Sequence, residues 1–172
     1  LKFFFSLRSE KFYTRYYNFG RTRSKVFKTK ISNFFNKRTR KNFIDKNLVK
    51  KIPKSKYVYF PLQSEPERVI LLNSPFHTNQ ISIIQNIAKS LPIGYNLLVK
   101  EHPSMKILGP WRPISIYKEI QDLPNVVLIH PDVSNETAIK NSDLVITIAG
   151  TTGQEASFCR KPVITFTEQI YT

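Results

Sequence analysis

From residue 56 onward, short apolar runs alternate with amphipathic segments, and this alternation limits the chain to one class of fold. Each run is short enough for a buried strand and too short for a core helix. Connections of helical length join parallel strands, since tight turns join only antiparallel ones. We therefore predict an α/β fold with helices on both faces of a parallel sheet. The predicted strands are Tyr57–Phe60, Asn96–Val99, Val126–Ile129, Leu144–Ile148 and Val163–Phe166.

Capping residues and helical spacing predict the connecting helices. Thr78 or Asn79 can cap the first helix, and Ser134 can cap the third. Apolar residues at helical spacing predict the inner face of the first helix: Ile81, Ile84, Ala88 and Leu91. The remaining helices are predicted at Ile114–Ile120 and Gln154–Cys159.

Positive charge is concentrated in the first third of the chain. Residues 1–56 contain 18 Lys or Arg and two acidic residues, whereas residues 57–172 contain 9 Lys or Arg and 10 Asp or Glu. The sequence thus predicts a basic arm, 1–56, followed by a near-neutral domain, 57–172. The arm also has 12 Phe or Tyr. Some of its apolar residues are spaced for one helical face, so it is predicted to be partly helical without a core of its own: Phe27, Ile31, Phe34 and Phe35.

Cysteine content and hydropathy indicate the compartment. Cys159 is the only cysteine, which excludes an internal disulfide and fits a reducing cytoplasm. No apolar run approaches the ~18 residues that a membrane-spanning helix needs. The sequence starts without Met and stops at Thr172, soon after a predicted strand that would normally be followed by a covering helix. We expect a longer protein of which this is a part.

A Gly/Thr-rich turn follows the fourth predicted strand. Ligands of open parallel sheets bind beyond the carboxyl ends of the strands, and the turn Gly150–Gly153 lies at such an end. A helix N-terminus there attracts phosphate through its amides, and Thr151 and Thr152 add hydroxyl donors. Glu155 is predicted in the first helical turn, either as a partner of the helix dipole or as an acceptor for ribose hydroxyls. An ordinary strand-to-helix turn is the alternative.

Two His-Pro pairs also follow predicted strands. His102, held by Pro103, can present a ring nitrogen to a phosphate oxygen, but a packed histidine is the more common case. His130 precedes Pro131 in the same manner, and the residues alone do not separate the two pairs. A metal site is not predicted, because the histidines lack ligand-like spacing to one another and to Cys159. No other cofactor is predicted.

Taken together, these motifs resemble the capsule polysaccharide biosynthesis protein family over residues 56–172. The resemblance rests on five segments in the same order: Tyr57–Gln63 with Glu65–Glu67, Val99–Pro103, Pro124–Val126, Ile146–Ala156 and Lys161–Ile164. Gln63 stands where members commonly have His. Such proteins are similar to GT-B glycosyltransferases, which have two Rossmann-like domains facing a cleft. The chain would be the second of these domains, which binds the nucleotide of an activated sugar.

The resemblance also implies roles for individual residues. His102, and not His130, would contact the donor phosphate with help from Thr151 and Thr152. Glu155 and Glu67 would lie on the nucleotide side of the cleft. The donor would be a CMP- or other nucleotide-activated sugar, and the acceptor a glycan or glycolipid. A catalytic base is expected in the first domain, so this part alone should be inactive.

Three interpretations of the arm remain open at the level of sequence. Its cations and aromatic residues suit the anionic inner face of the cell membrane, while a solvated connector fits equally well. Nucleic-acid binding through the arm is the alternative function. We rank nucleic acid last, because the domain behind the arm resembles a sugar-nucleotide site.

Overall fold

The computed structural model describes residues 23–64, 74–107 and 112–168. The strands are β1 (Tyr57–Pro61), β2 (Asn96–Lys100), β3 (Val126–Ile129), β4 (Leu144–Thr147) and β5 (Val163–Thr165). The helices are α1 (Arg23–Asn47), α2 (Gln80–Ser90), α3 (Ser104–Ile107), α4 (Ile114–Gln121), α5 (Asn135–Lys140) and α6 (Thr151–Phe158). A short 3-10 helix, Pro75–His77, precedes α2.

The five strands form one parallel sheet in the order β3-β2-β1-β4-β5. In the centre, Tyr59 lies opposite Leu98 of β2 on one side and Val145 of β4 on the other. The connection from β1 leads to β2 on one side, and the chain later returns to β4 on the other side of β1. This is the strand order of a Rossmann-like domain, so the predicted fold class is confirmed.

Apolar side chains cover both faces of the sheet. Successive side chains of β1 point alternately to the two faces and pack in two different cores. Val58 and Phe60 pack in the core that contains residues of α1, α2 and α4. Tyr57 and Tyr59 pack in the core that contains residues of α5 and α6. Every residue of β1 is buried, which explains why this strand reads as a continuous apolar run.

The predicted inner face of α2 is only half right. Asn79 caps the helix by accepting a hydrogen bond from Ser82 N at 3.2 Å, and Ile84 and Ala88 are buried as predicted. The other predicted positions are only half-buried, and the helix buries Gln80, Ile83 and Ile87 instead. The buried face thus includes Gln80, whose side chain turns inward and bonds the backbone of Gln63.

The chain divides into two compact units, Leu1–Thr39 and Arg40–Thr172. In the second unit, the end of α1 contributes Ile44 and the following Leu48 to the core. Val49 then forms a bridge to Ile129 at the outer edge of β3. Residues 40–56 of the predicted arm therefore belong to the unit that contains the sheet.

Helix α1 confirms that the arm is partly helical. In the first unit, Phe27, Ile31, Phe34 and Phe35 are all exposed. None of the helices in the described ranges combines the length and the apolar character needed to cross a membrane.

We predict that Ile44→Ala lowers the free energy of unfolding by about 2 to 5 kcal/mol, because the truncation leaves a cavity in the core. Ile44 is only 1% exposed. Ile31→Ala is the matched control on the same helix, and since Ile31 is 43% exposed, its change should stay within about 0.5 kcal/mol. Urea denaturation of the full chain measures both. Equal effects of the two substitutions would contradict the packing described for the end of α1.

Candidate functional site

The sheet has its topological switch point between β1 and β4, where the connections diverge. Ligands of open α/β sheets bind in the crevice beyond the carboxyl ends of such strands. The segments that follow β1, β2 and β4 meet at this edge, because all strands are parallel.

A cavity of about 200 Å³ lies at this edge. Four residues of the predicted site line it: His102, Thr151, Thr152 and Glu155. Four polar residues outside the predicted site also line it: Tyr59, Lys100, Glu101 and Asn135. Gly150 and Gly153 stand at the start of α6 beside it, and Glu67 lies outside the described residues.

The buried Glu101 carboxylate fixes the strand end that carries His102. Glu101 is fully buried and accepts hydrogen bonds from Arg112 Nη1 at 3.1 and 3.2 Å. It also accepts one from the Tyr117 hydroxyl at 2.7 Å and one from His102 N at 2.7 Å. Arg112 additionally donates to the carbonyl of Gln63, which follows β1. The network thus joins the ends of two neighbouring strands to α4.

The His102 ring is oriented by Ser104. Its Nδ1 lies 2.6 Å from Ser104 Oγ and accepts a hydrogen bond from Ser104 N at 3.2 Å. A backbone N–H can only donate, so Nδ1 is the acceptor and the neutral ring carries its proton on Nε2. The ring can therefore offer a donor at Nε2 to an oxyanion.

Helix α6 begins earlier than predicted, at Thr151 and not at Gln154. Gly150 is its N-cap with φ = +94°, a conformation that favours glycine. As glycine has no side chain, the N-cap supplies no acceptor to the first-turn amides. Thr151 and Thr152 are thus the first two helical residues, and the amide end of an eight-residue helix borders the cavity.

Glu155 lies in the second turn of α6, so the prediction of a first-turn position was wrong. Its Oε2 accepts a hydrogen bond from Asn135 Nδ2 at 2.6 Å, and its Oε1 accepts one from Thr151 Oγ1 at 3.3 Å. The Tyr59 hydroxyl donates to Asn135 Oδ1 at 2.5 Å. Burial, followed by the charge of Glu155, raises the pKa of Tyr59, which keeps it a neutral donor. Each Glu155 oxygen retains a lone pair for a further donor.

Lys100 is the last residue of β2 and is only 4% exposed, although it is charged. Burial lowers the pKa of its ammonium, while the carboxylates of Glu155 and Asp132 raise it in part. Within residues 23–64, 74–107 and 112–168, no hydrogen bond or ion pair joins this ammonium to another side chain. The cavity therefore contains a buried positive charge without an ion-pair partner among those residues.

The Gln63 side chain connects the end of β1 to the end of β4 at the switch point. Its Nε2 donates to Thr147 Oγ1 at 3.1 Å and to Ala149 O at 2.8 Å, which joins β1 to β4. Its backbone exchanges hydrogen bonds with the side chain of Gln80. With these bonds Gln63 is 6% exposed, so its amide holds the shape of the crevice.

The second His-Pro pair has a different environment. His130 is buried at the end of β3, and its Nε2 lies 3.0 Å from Asp45 Oδ1 of α1. Its Nδ1 accepts a hydrogen bond from Asp132 N at 3.2 Å. His130 therefore ties the end of α1 to the sheet, whereas His102 faces the cavity.

The residues that sequence reasoning missed carry partial signals. Lys100 ends a run of apolar strand residues. Lysine is rarely buried at the end of such a strand, so its presence there indicates a functional role. Asn135 follows the capping Ser134, which accepts from Thr137 N at 3.2 Å, and nothing in the sequence points it towards Glu155. Arg112 stands in a segment without a periodic pattern, so no signal could have paired it with Glu101.

The comparisons with known proteins agree with this fold. The model of the family described as capsule polysaccharide biosynthesis protein matches residues 6–172. The chain belongs to this glycosyltransferase-like family, which is involved in capsule polysaccharide synthesis. A comparison with curated protein sequences finds no match.

Two solved structures from Thermosulfurimonas dismutans share the fold. The chain is 18% identical to KpsC, beta Kdo 2,7 transferase, with a TM-score of 0.54, and 82% of this chain aligns with 43% of that one. It is 17% identical to KpsC, beta Kdo 2,4 transferase, with a TM-score of 0.51, and 77% aligns with 44%. The chain thus spans less than half the length of either structure.

We predict that Glu101→Gln lowers the free energy of unfolding by about 3 to 5 kcal/mol, because it leaves the buried Arg112 without its counter-charge. The matched control is Glu136→Gln, which breaks an exposed ion pair with Lys140 and should leave the unfolding midpoint unchanged. Urea denaturation of the full chain tests both. A Glu101→Gln variant as stable as the parent would show that the network does not hold the strand ends together.

Proposed function

We propose that this chain is the donor-nucleotide side of a glycosyltransferase that makes capsule or another surface polysaccharide. The observation that carries the proposal is the cavity at the switch point. It combines His102, the amide end of α6 and the buried Lys100. Family membership supports the reaction class, and the likeness to two Kdo transferases supports the GT-B-like fold.

In this proposal, the donor phosphate lies between the His102 ring and the N-terminus of α6. Nε2 of His102 and the hydroxyls of Thr151 and Thr152 donate hydrogen bonds to its oxygens. These groups stabilise the nucleotide as it leaves with growing negative charge. Glu155, oriented by Asn135, accepts from the ribose hydroxyls. The activated sugar is a CMP- or other nucleotide-linked sugar, and a glycan or glycolipid accepts it.

We further propose that the enzyme works in the cytoplasm, with the basic helix α1 against the anionic inner face of the membrane. Helix α1 has nine Lys or Arg and one acidic residue. The exposed aromatic rings Phe34 and Phe35 can enter the interface between headgroups and acyl chains. The charge and the aromatic residues support a membrane surface as the partner.

His102→Ala should weaken the binding of CMP or UMP about tenfold or more, since it removes a hydrogen bond to a charged phosphate. Isothermal titration calorimetry with the full chain measures the affinity. The control is His130→Ala, which should lower stability through loss of the Asp45 contact but leave the affinity of the folded protein unchanged. If both variants weaken nucleotide affinity equally, or if the folded parent chain binds no nucleotide, the proposed site is ruled out.

Replacing Lys28, Lys37 and Arg38 together with Gln should weaken the binding of the full chain to anionic vesicles about a hundredfold. Each cation near such a surface contributes about 1 kcal/mol. Co-sedimentation with phosphatidylserine-containing vesicles over a salt series measures the effect, because raised salt shortens the Debye length.

Lys89, Lys118 and Lys140, exposed lysines outside α1, form the control triple when replaced with Gln, and this variant should keep most of the vesicle binding. Neutral vesicles and single-stranded RNA are the comparison ligands. Tight RNA binding at physiological salt, without binding to anionic vesicles, would contradict the membrane placement and favour nucleic acid.

A further inference from the structure

Lys100 differs from the other buried charges around the cavity. Glu101, the next residue, is equally buried but forms an ion pair with Arg112, whose Nη1 donates to both carboxylate oxygens. Lys100 has no such partner in the described part of the chain, although its side chain lines the cavity. Removing an ammonium from water without pairing it is costly, so this lysine destabilises the folded protein unless something else compensates its charge.

Glu155, the other carboxylate that lines the cavity besides Glu101, does not neutralise the charge of Lys100. Glu155 bonds Asn135 and Thr151, but it forms no hydrogen bond or ion pair with Lys100. Its charge acts on Lys100 from a distance, as does that of Asp132, and both only partly offset the effect of burial. The cavity therefore presents an ammonium, the His102 ring and a helix N-terminus, a set of groups that favours an oxyanion over a neutral molecule.

We propose that Lys100 is an anion-binding residue of this cavity and that its ammonium pairs with an oxyanion of the bound sugar nucleotide. The oxyanion is either a phosphate of the nucleotide or the carboxylate of an acidic sugar. This inference rests on the proposed function and extends it, because it assigns the main charge contact to a residue at the end of β2. The energetic penalty of burying Lys100 is then offset only when the ligand is bound.

Lys100→Met tests this inference, since methionine keeps the unbranched stem and removes the charge. Calorimetry on the full chain compares CMP, cytidine and free Kdo, which carry a phosphate, no anion and a carboxylate respectively. We expect a ten- to hundredfold loss of affinity, about the effect of one charge-assisted hydrogen bond. A loss for CMP alone assigns the phosphate, and a loss for Kdo alone assigns the carboxylate. Cytidine should be unaffected.

Lys118→Met is the matched control, because Lys118 is an exposed residue of α4 that does not line the cavity. It should leave all three affinities unchanged. If Lys100→Met binds CMP and Kdo as the parent does, while His102→Ala still weakens CMP, the inference is overturned and the proposed function stands. If the parent chain binds none of the ligands, both are overturned.

Stability separates a binding role from a structural one. Lys100→Met should melt at or above the temperature of the parent chain, because it removes a desolvated charge. The penalty is full below the lowered pKa of Lys100 and diminishes as the pH rises above it. A lower melting temperature, with equal losses for all three ligands including cytidine, would indicate a structural role and overturn the inference.

Proton linkage gives an independent measurement. An anion bound at Lys100 raises the pKa of its ammonium, so binding near the lowered pKa takes up protons from solution. Calorimetry in buffers of different ionisation enthalpy should detect this uptake for the parent chain. The uptake should disappear in Lys100→Met, and its persistence there would contradict the inference.

Discussion

The buried ion pair between Glu101 and Arg112 is the interaction on which the geometry of the site depends. It joins the end of β2 to the carbonyl of Gln63 beyond β1, and Tyr117 extends it to α4. Burial, and then the Glu101 charge, raise the pKa of Tyr117, so its hydroxyl remains a donor. Because the carboxylate also accepts from His102 N, the same group that holds the strands together sets the position of the histidine backbone.

In contrast to the paired Glu101, the neighbouring Lys100 is a buried charge without an ion-pair partner among the described residues. Other polar groups at this edge of the sheet have hydrogen-bond partners: Gln63 bonds Thr147 of β4, His102 bonds Ser104, and Glu155 bonds Asn135. Proteins commonly leave a polar or charged group without a partner at a functional site, at a cost in stability. The unpaired charge of Lys100 in the described part of the chain therefore fits its proposed role in binding an anion.

Much of the fold could be predicted from the sequence, because strand and helix signals are local. The strand Val126–Ile129 agrees at both ends, since its apolar run is bounded on both sides by polar or turn residues. The start of α6 was misplaced because Thr151 and Thr152 have weak helix propensity, and the helix is held there by packing of Ala156. The motifs predicted His102 and Thr151 at one cavity, but the partners of Glu101 and Glu155 depend on tertiary contacts that no local pattern contains.

The bridge between Val49 and Ile129 has a consequence for self-association. An exposed strand edge is a template for pairing with another chain, and proteins protect such edges with covering segments or very short strands. Val49 donates to Leu128 O at 3.1 Å and accepts from His130 N at 2.8 Å, so the outer edge of β3 has its backbone groups occupied there. The segment around Val49 thus covers the outer edge of β3, and its loss would expose β3 to aggregation.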